Sequence, residues 1–244
     1  MTVKIDEAPG RPYRIAAGNM SAAQAELVDR ILAGPRKDLP VNMEIWLHSP
    51  AFAKVANAFA EYVGHLAPMT RRVKEITILV VATYWQSPFE WFWHERLARQ
   101  LEIEAEQIEA IRTRRPVRFA DPVEQTAHDL AVALLTERSV DDALHDRAVA
   151  VLGRAAVADL IGLIGLYGMV AHSLDFYRVP VPEAEAAAMS TAVCRRMGRC
   201  CCTRRADMVR PKVVMPSAAM ASPRWQIGTA SVADSPGLSG RRTA

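Results

Sequence analysis

The hydrophobic positions of this chain recur mostly at intervals of three and four, the period of an amphipathic helix rather than a strand. Leu27, Val28, Ile31 and Leu32 form one stripe. It is opened by Ser21 with Gln24, the two halves of a capping box, and stopped by Gly34-Pro35. Ser49-Pro50 opens a second helix, ending near Gly64, with Phe52, Val55, Ala56, Phe59 and Val63 on one face. Residues 70–85 are apolar on nearly every side, which predicts burial. Ile76, Ile78, Val80 and Val81 suit a strand locally, but the length of the run favours a helix. Further helices are predicted from Ser87 to Gln100 and over 104–113, 121–136, 139–152 (Ser139 with Asp142 as its start) and 155–177. No segment alternates convincingly as a half-buried strand does, so the fold class is all-α. In the last helix Gly162, Gly165 and Gly168 recur every third residue, each costing about 1 kcal/mol relative to alanine. Something is therefore expected to pack close to that backbone, a neighbouring helix or a partner subunit before a ligand.

Composition divides the chain. Residues 1–20 read as an irregular arm broken by Pro9, Gly10 and Pro12, residues 21–183 as one helical domain, and residues 184–244 as a disordered basic tail. Residues 190–244 carry a net charge of +8 and residues 1–189 a net of −5, within a total of +3. The tail, not the body, makes the chain basic, so charge gives no argument for nucleic acid binding. All four cysteines, Cys194, Cys200, Cys201 and Cys202, also fall in the tail, which excludes a disulfide framework or a Cys-ligated metal from the body. No secretory signal pattern follows the N-terminal charges, and the longest uncharged run, Leu160 to Leu174, is shorter than the ~20 residues a bilayer span needs. A cytoplasmic protein without membrane contact is expected.

The chemistry concentrates in Glu75, Ser87, Glu90 and His94. Glu90 and His94 are four apart, hence on one helix face, and Glu75 lies one element upstream in apolar sequence. Two carboxylates and an imidazole in such surroundings suit proton transfer. Simpler roles compete: Ser87-Pro88-Phe89-Glu90 is also a helix start with Ser at the cap and Glu at the third position, Glu75 can pair with Arg71, and His94 can be a hydrogen-bonded core histidine. Glu95 and Arg99 read as a surface i,i+4 pair, and His48 is the other histidine that can approach the site. Glu75, Glu90 and His94 offer three metal ligands, but the duplicated Glu-x-x-His pattern of bundle metal sites is missing, so no metal is expected. Nucleotide-binding glycine motifs are absent too.

With these residues in place, segment 40–183 resembles the carboxymuconolactone decarboxylase family, whose all-helical fold is shared with alkylhydroperoxidase D-like proteins. The peroxidase branch carries Glu, then Cys-x-x-Cys, then His at fixed separations. Glu75 and His94 match the ends of that pattern, while Ser87 and Glu90 occupy the cysteine positions and cannot exchange a disulfide. The decarboxylase branch keeps a Glu-x-x-x-His, reproduced by Glu90 to His94. The resemblance implies a cofactor-free lyase acting on a small carboxylated lactone or related acid, assembled as a homo-oligomer, a trimer or hexamer. His94 would deliver the proton, Glu90 would orient and tune His94, and Glu75 would act as a secondary acid or base. Arg71 and Arg72 would hold a substrate carboxylate, with Ser87 and Trp91 lining the site. The alternatives on the same fold are a non-catalytic oligomeric binding protein and a peroxidase-family member that has lost its redox cysteines.

Overall fold

The structure, a computed structural model, describes residues 10–34 and 37–182. The predicted tail, with all four cysteines, and the first nine residues of the arm lie outside the described residues. Among those described there are helices and no strand: α1 (Ala22–Ala33), α2 (Val41–Trp46), α3 (Pro50–Glu61), α4 (Arg71–Trp85), α5 (Pro88–Gln100), α6 (Ala105–Arg112), α7 (Pro122–Val132), α8 (Asp142–Leu152) and α9 (Arg154–Tyr177).

Several helix starts follow from their capping residues. Ser21 and Gln24 form both halves of the capping box of α1. Asp121 accepts from the Val123 N–H at the head of α7, and Thr70 accepts from the Val73 N–H at the head of α4. The ambiguity over 70–85 resolves to helix, because α4 is the axis of the fold. It is buried continuously from Val73 to Ala82, against α9, α7, α5 and α6. A helix surrounded on all sides needs apolar residues all round, and there the tertiary setting overrides β propensity. Its polar residues are satisfied inside: the Thr77 hydroxyl donates to the Val73 carbonyl at 2.8 Å. The Lys74 ammonium donates to the Gly64 and Ala67 carbonyls, and burial lowers its pKa.

Three expectations change. Helix α2 was not anticipated; its six residues are too few to display a period, although Met43, Ile45 and Trp46 are buried. Helix α8 starts from Asp141, whose side chain accepts the Leu144 N–H, rather than from Ser139. The apolar face of α3 is split, with Ala56 and, just beyond the helix, Val63 buried. Its core side consists of Ala53, Ala56, Asn57 and Ala60, small enough for close packing on α1 and α2, while Phe52, Val55 and Phe59 are exposed.

The described part of the arm has no regular structure beyond a single 3-10 turn at Ala17–Asn19, yet it is tied to the end of α9. The Arg11 N–H donates to the Tyr177 carbonyl, its guanidinium donates to the Phe176 carbonyl, and Tyr13 is buried. His48 is used here: Nε2 lies 2.8 Å from the Tyr13 carbonyl and the ring stacks on Tyr177. By length and composition α9 would suffice to cross a bilayer, but it runs against α4, α2 and α8.

Candidate active site

Helices α4 and α5 are joined by two residues, Gln86 in the left-handed region (φ 53°) and Ser87, so the chain folds straight back on itself. That turn brings Glu75, near the start of α4, beside His94 on α5. The imidazole Nδ1 lies 2.7 Å from Glu75 Oε2, and the two side chains are only 14% and 10% exposed. Tyr167 from α9 packs edge-on against the His94 ring, with centroids 5.0 Å apart. A carboxylate on Nδ1 fixes the tautomer in which Nδ1 carries the proton, leaving Nε2 as the nitrogen with a lone pair.

Glu90 sits one helical turn before His94 and is buried to 2% exposure. Among the described residues no group meets hydrogen-bond geometry with either carboxyl oxygen, although the Ser87 hydroxyl lies close by. Desolvation pushes its pKa well above the usual carboxylate range, opposed weakly by the nearby Ser87 hydroxyl. Burial therefore favours the uncharged acid. The convergence is thus a bonded pair with a neighbouring acid rather than three groups in mutual contact. Glu75, not Glu90, orients His94.

The remaining expected residues divide. Ser87 is the residue before α5 and is buried, but its side chain makes no capping hydrogen bond, so the anticipated Ser87–Glu90 capping box does not form. Trp91 is buried, and its indole N–H is occupied by Glu95 Oε2 at 2.7 Å. Glu95 also holds Arg99 in the anticipated i,i+4 pair. Arg72 is not free to hold a substrate carboxylate: it grips Glu124 with two hydrogen bonds of 2.6 and 3.1 Å and donates a third to the Leu101 carbonyl. Arg71 is exposed at the first position of α4, and Glu75 pairs with His94 instead of with it. Among the described residues no three His, Cys, Asp or Glu side chains are grouped to hold a metal ion.

Sequence reasoning missed Tyr167 and Glu124. Tyr167 lies between Gly165 and Gly168, and those glycines drew attention to backbone approach instead of to the aromatic beside them. Two of the three glycines do meet aromatic rings. A Cβ on Gly162 would lie 3.4 Å from Phe59, and one on Gly168 would lie 3.3 Å from the Trp85 indole nitrogen; Gly165 faces open space. Beside Gly165 and Gly168 runs an open groove of about 710 Å³, bordered by Trp85, Met169, His172 and Phe176 and separate in its lining from Glu75, Glu90 and His94.

No family model matches this chain, and no curated protein matches it in sequence. Solved structures do match in fold. An uncharacterized peroxidase-related protein from Silicibacter sp. TM1040 superposes with a TM-score of 0.59 at 12% identity, over 75% of this chain and 97% of that one. The debrominase Bmp8, in a Cys-to-Ala variant in complex with 2,3,4-tribromopyrrole, superposes with a TM-score of 0.56 at 12% identity, over 70% of this chain and 94% of that one. Both superpositions agree with the all-α fold class. At such identities they show the fold and not the reaction.

Proposed function

We propose that this protein is a cofactor-free proton-transfer enzyme of the decarboxylase-like type, a lyase acting on a small carboxylated lactone or a related acid. The observation that supports this reading is the 2.7 Å contact between Glu75 and His94, buried and aligned through Nδ1. Loss of carbon dioxide from an acid leaves the bonding electron pair on carbon, as a carbanion or enolate that must be stabilised and then protonated. In this scheme His94 first takes a proton from solvent on Nε2, the imidazolium gives that proton to the carbon, and the neutral imidazole with its Nε2 lone pair is restored. Glu75 stabilises the imidazolium and holds the ring in place, the part a carboxylate plays behind a catalytic histidine elsewhere. Glu90, kept uncharged by burial, donates a hydrogen bond to the developing oxyanion without adding a second negative charge. Ser87 and Trp91 belong to the walls of the site, and exposed Arg71 is the cation available to the substrate carboxylate.

Thiol peroxidase chemistry is not proposed for the helical body, because Ser87 and Glu90 hold the positions where the resemblance expects cysteines. Incubating the full chain with a panel of small lactone and β-keto carboxylic acids, and following carbon dioxide release, tests the proposal. Active wild type should lose about 10²–10⁴-fold in His94→Gln, the usual loss when a general acid is removed. The folded content and melting temperature should change little, because Gln keeps a hydrogen-bonding group toward Glu75. Unchanged turnover in His94→Gln would overturn the assignment.

A further inference from the structure

Helix α9 carries a trough along one face. Gly165, Gly168, Met169, His172 and Phe176 follow one another there at helical spacing, over about 16 Å of helix. With Ile45 of α2, Trp85 at the end of α4 and Leu135, they border the open groove of about 710 Å³. Its size falls among the sites of roughly 300–1,000 Å³ that take small organic molecules. Tyr167, between the two glycines, packs on His94 instead, and Glu75, Glu90 and His94 take no part in the lining.

Gly165 is the unexplained member of the glycine series. An added Cβ would meet Phe59 at Gly162 and Trp85 at Gly168, so both are accounted for within the chain. At Gly165 it would meet nothing within 4 Å. The helix gives up about 1 kcal/mol there relative to alanine, and no described residue takes the space. Flat rings stand beside this bare floor. Trp85 and Phe176 are 40% and 61% exposed, and His172 meets Trp85 with centroids 4.2 Å apart. The Ser173 hydroxyl in the lining is already used by the Trp46 indole and the Met169 carbonyl. The Trp85 indole N–H and the His172 ring hydrogen-bond no other described residue, and they stand side by side. No Asp, Glu, Lys or Arg lines the groove. An ion there would lose water without gaining a partner, so charge complementarity selects an uncharged ligand.

We propose that the α9 groove binds a neutral, planar aromatic ketone of one or two rings. The ring system takes the space left by Gly165 and packs against the aromatic walls. The carbonyl oxygen accepts the Trp85 N–H, with His172 alongside as a second donor. An apolar body with one acceptor oxygen is the complement of an apolar, uncharged lining that carries two neighbouring N–H donors. The proposal does not rest on the Glu75–His94 reading.

Calorimetric titration of the full chain with 2-acetylnaphthalene tests the idea. One molecule per chain should bind, with a Kd below about 1 mM, the weakest affinity expected of a well-seated ligand of that size. The charged 2-naphthoate and the non-planar 2-acetyldecahydronaphthalene should each bind at least about 10-fold more weakly. Gly165→Leu fills the groove and should also weaken binding by at least about 10-fold. The melting temperature of that variant should not fall, because leucine is the better helix former and its Cβ meets no neighbour. The chain has five tryptophans, and the indole N–H resonance lost in Trp85→Phe should be the one that moves most when the ligand is added. Gln100→Glu on α5, away from the groove, should bind as wild type does. An absence of saturable binding would overturn the proposal, and that is also the result if a second copy or the chain's own tail fills the groove. So would equal binding of the charged or the saturated analogue, or unchanged binding by folded Gly165→Leu.

Discussion

Glu90 is the residue where burial and chemistry conflict most openly. A carboxyl with two unpartnered oxygens costs about 1–3 kcal/mol even when uncharged, and more when ionised. Its pKa is raised by folding, so the native state keeps a proton that the unfolded chain releases at ordinary carboxylate pH. Where the unfolded chain binds fewer protons than the native state, stability falls as pH rises. The contribution is intact below the unfolded pKa and is lost progressively as pH climbs toward the folded value. Glu90→Gln carries no titrating proton at this position. Its melting temperature should match wild type near pH 4 and exceed it at pH 7–8, the gap widening as pH rises. Melting curves across pH check this, and a constant difference at every pH would show that Glu90 is not shifted. In sequence, Glu90 and His94 were legible as one face, but not which carboxylate bonds the imidazole. That choice depends on how tightly Gln86 and Ser87 turn α5 back along α4, and no residue pattern encodes it.

At the scale of elements, the period of three and four located α1 and α3, the length of an all-apolar run located α4, and caps such as Ser21 and Asp121 marked starts. Periodicity says that a helix has an apolar stripe without saying what the stripe meets, and in α3 the large members of that stripe, Phe52, Val55 and Phe59, are exposed. The alanines Ala53, Ala56 and Ala60 bury a less conspicuous face, yet they permit the closer approach that builds the core. The Arg72–Glu124 pair was invisible for a different reason: its partners lie 52 residues apart. This pair joins the head of α4 to the first turn of α7, with the Glu124 side chain 8% exposed and that of Arg72 34% exposed. Arg72→Leu would leave the Glu124 charge buried without a partner and the Leu101 carbonyl without its donor. A loss of about 1–3 kcal/mol is expected, below the full cost for a wholly buried pair because Arg72 is partly solvated. Urea unfolding of Arg72→Leu and of Arg72→Leu/Glu124→Leu checks it. The double variant should recover part of the loss, and equal losses would mean that the buried charge is not the cause.

At the scale of the whole molecule, fold and reaction separate. Structures that superpose on this chain include a debrominase captured with a cysteine replaced by alanine and a peroxidase-related protein. The helical body here has Ser87 and Glu90 where the resemblance would place thiols, and every cysteine of the chain lies between 194 and 202. A disulfide cannot form or exchange without sulfur, so the helical body should have no thiol-driven hydroperoxide reduction of its own. The full chain with Cys194, Cys200, Cys201 and Cys202 all replaced by serine isolates that body without shortening the protein. Its consumption of hydrogen peroxide and of an alkyl hydroperoxide, with dithiothreitol as reductant, should not exceed the rate without protein. Carbon dioxide release from any acid that wild type accepts should be unchanged, because Glu75, Glu90 and His94 are untouched. Sustained peroxide turnover by the cysteine-free chain would place redox chemistry in the body after all and remove the reason for preferring proton transfer on this fold.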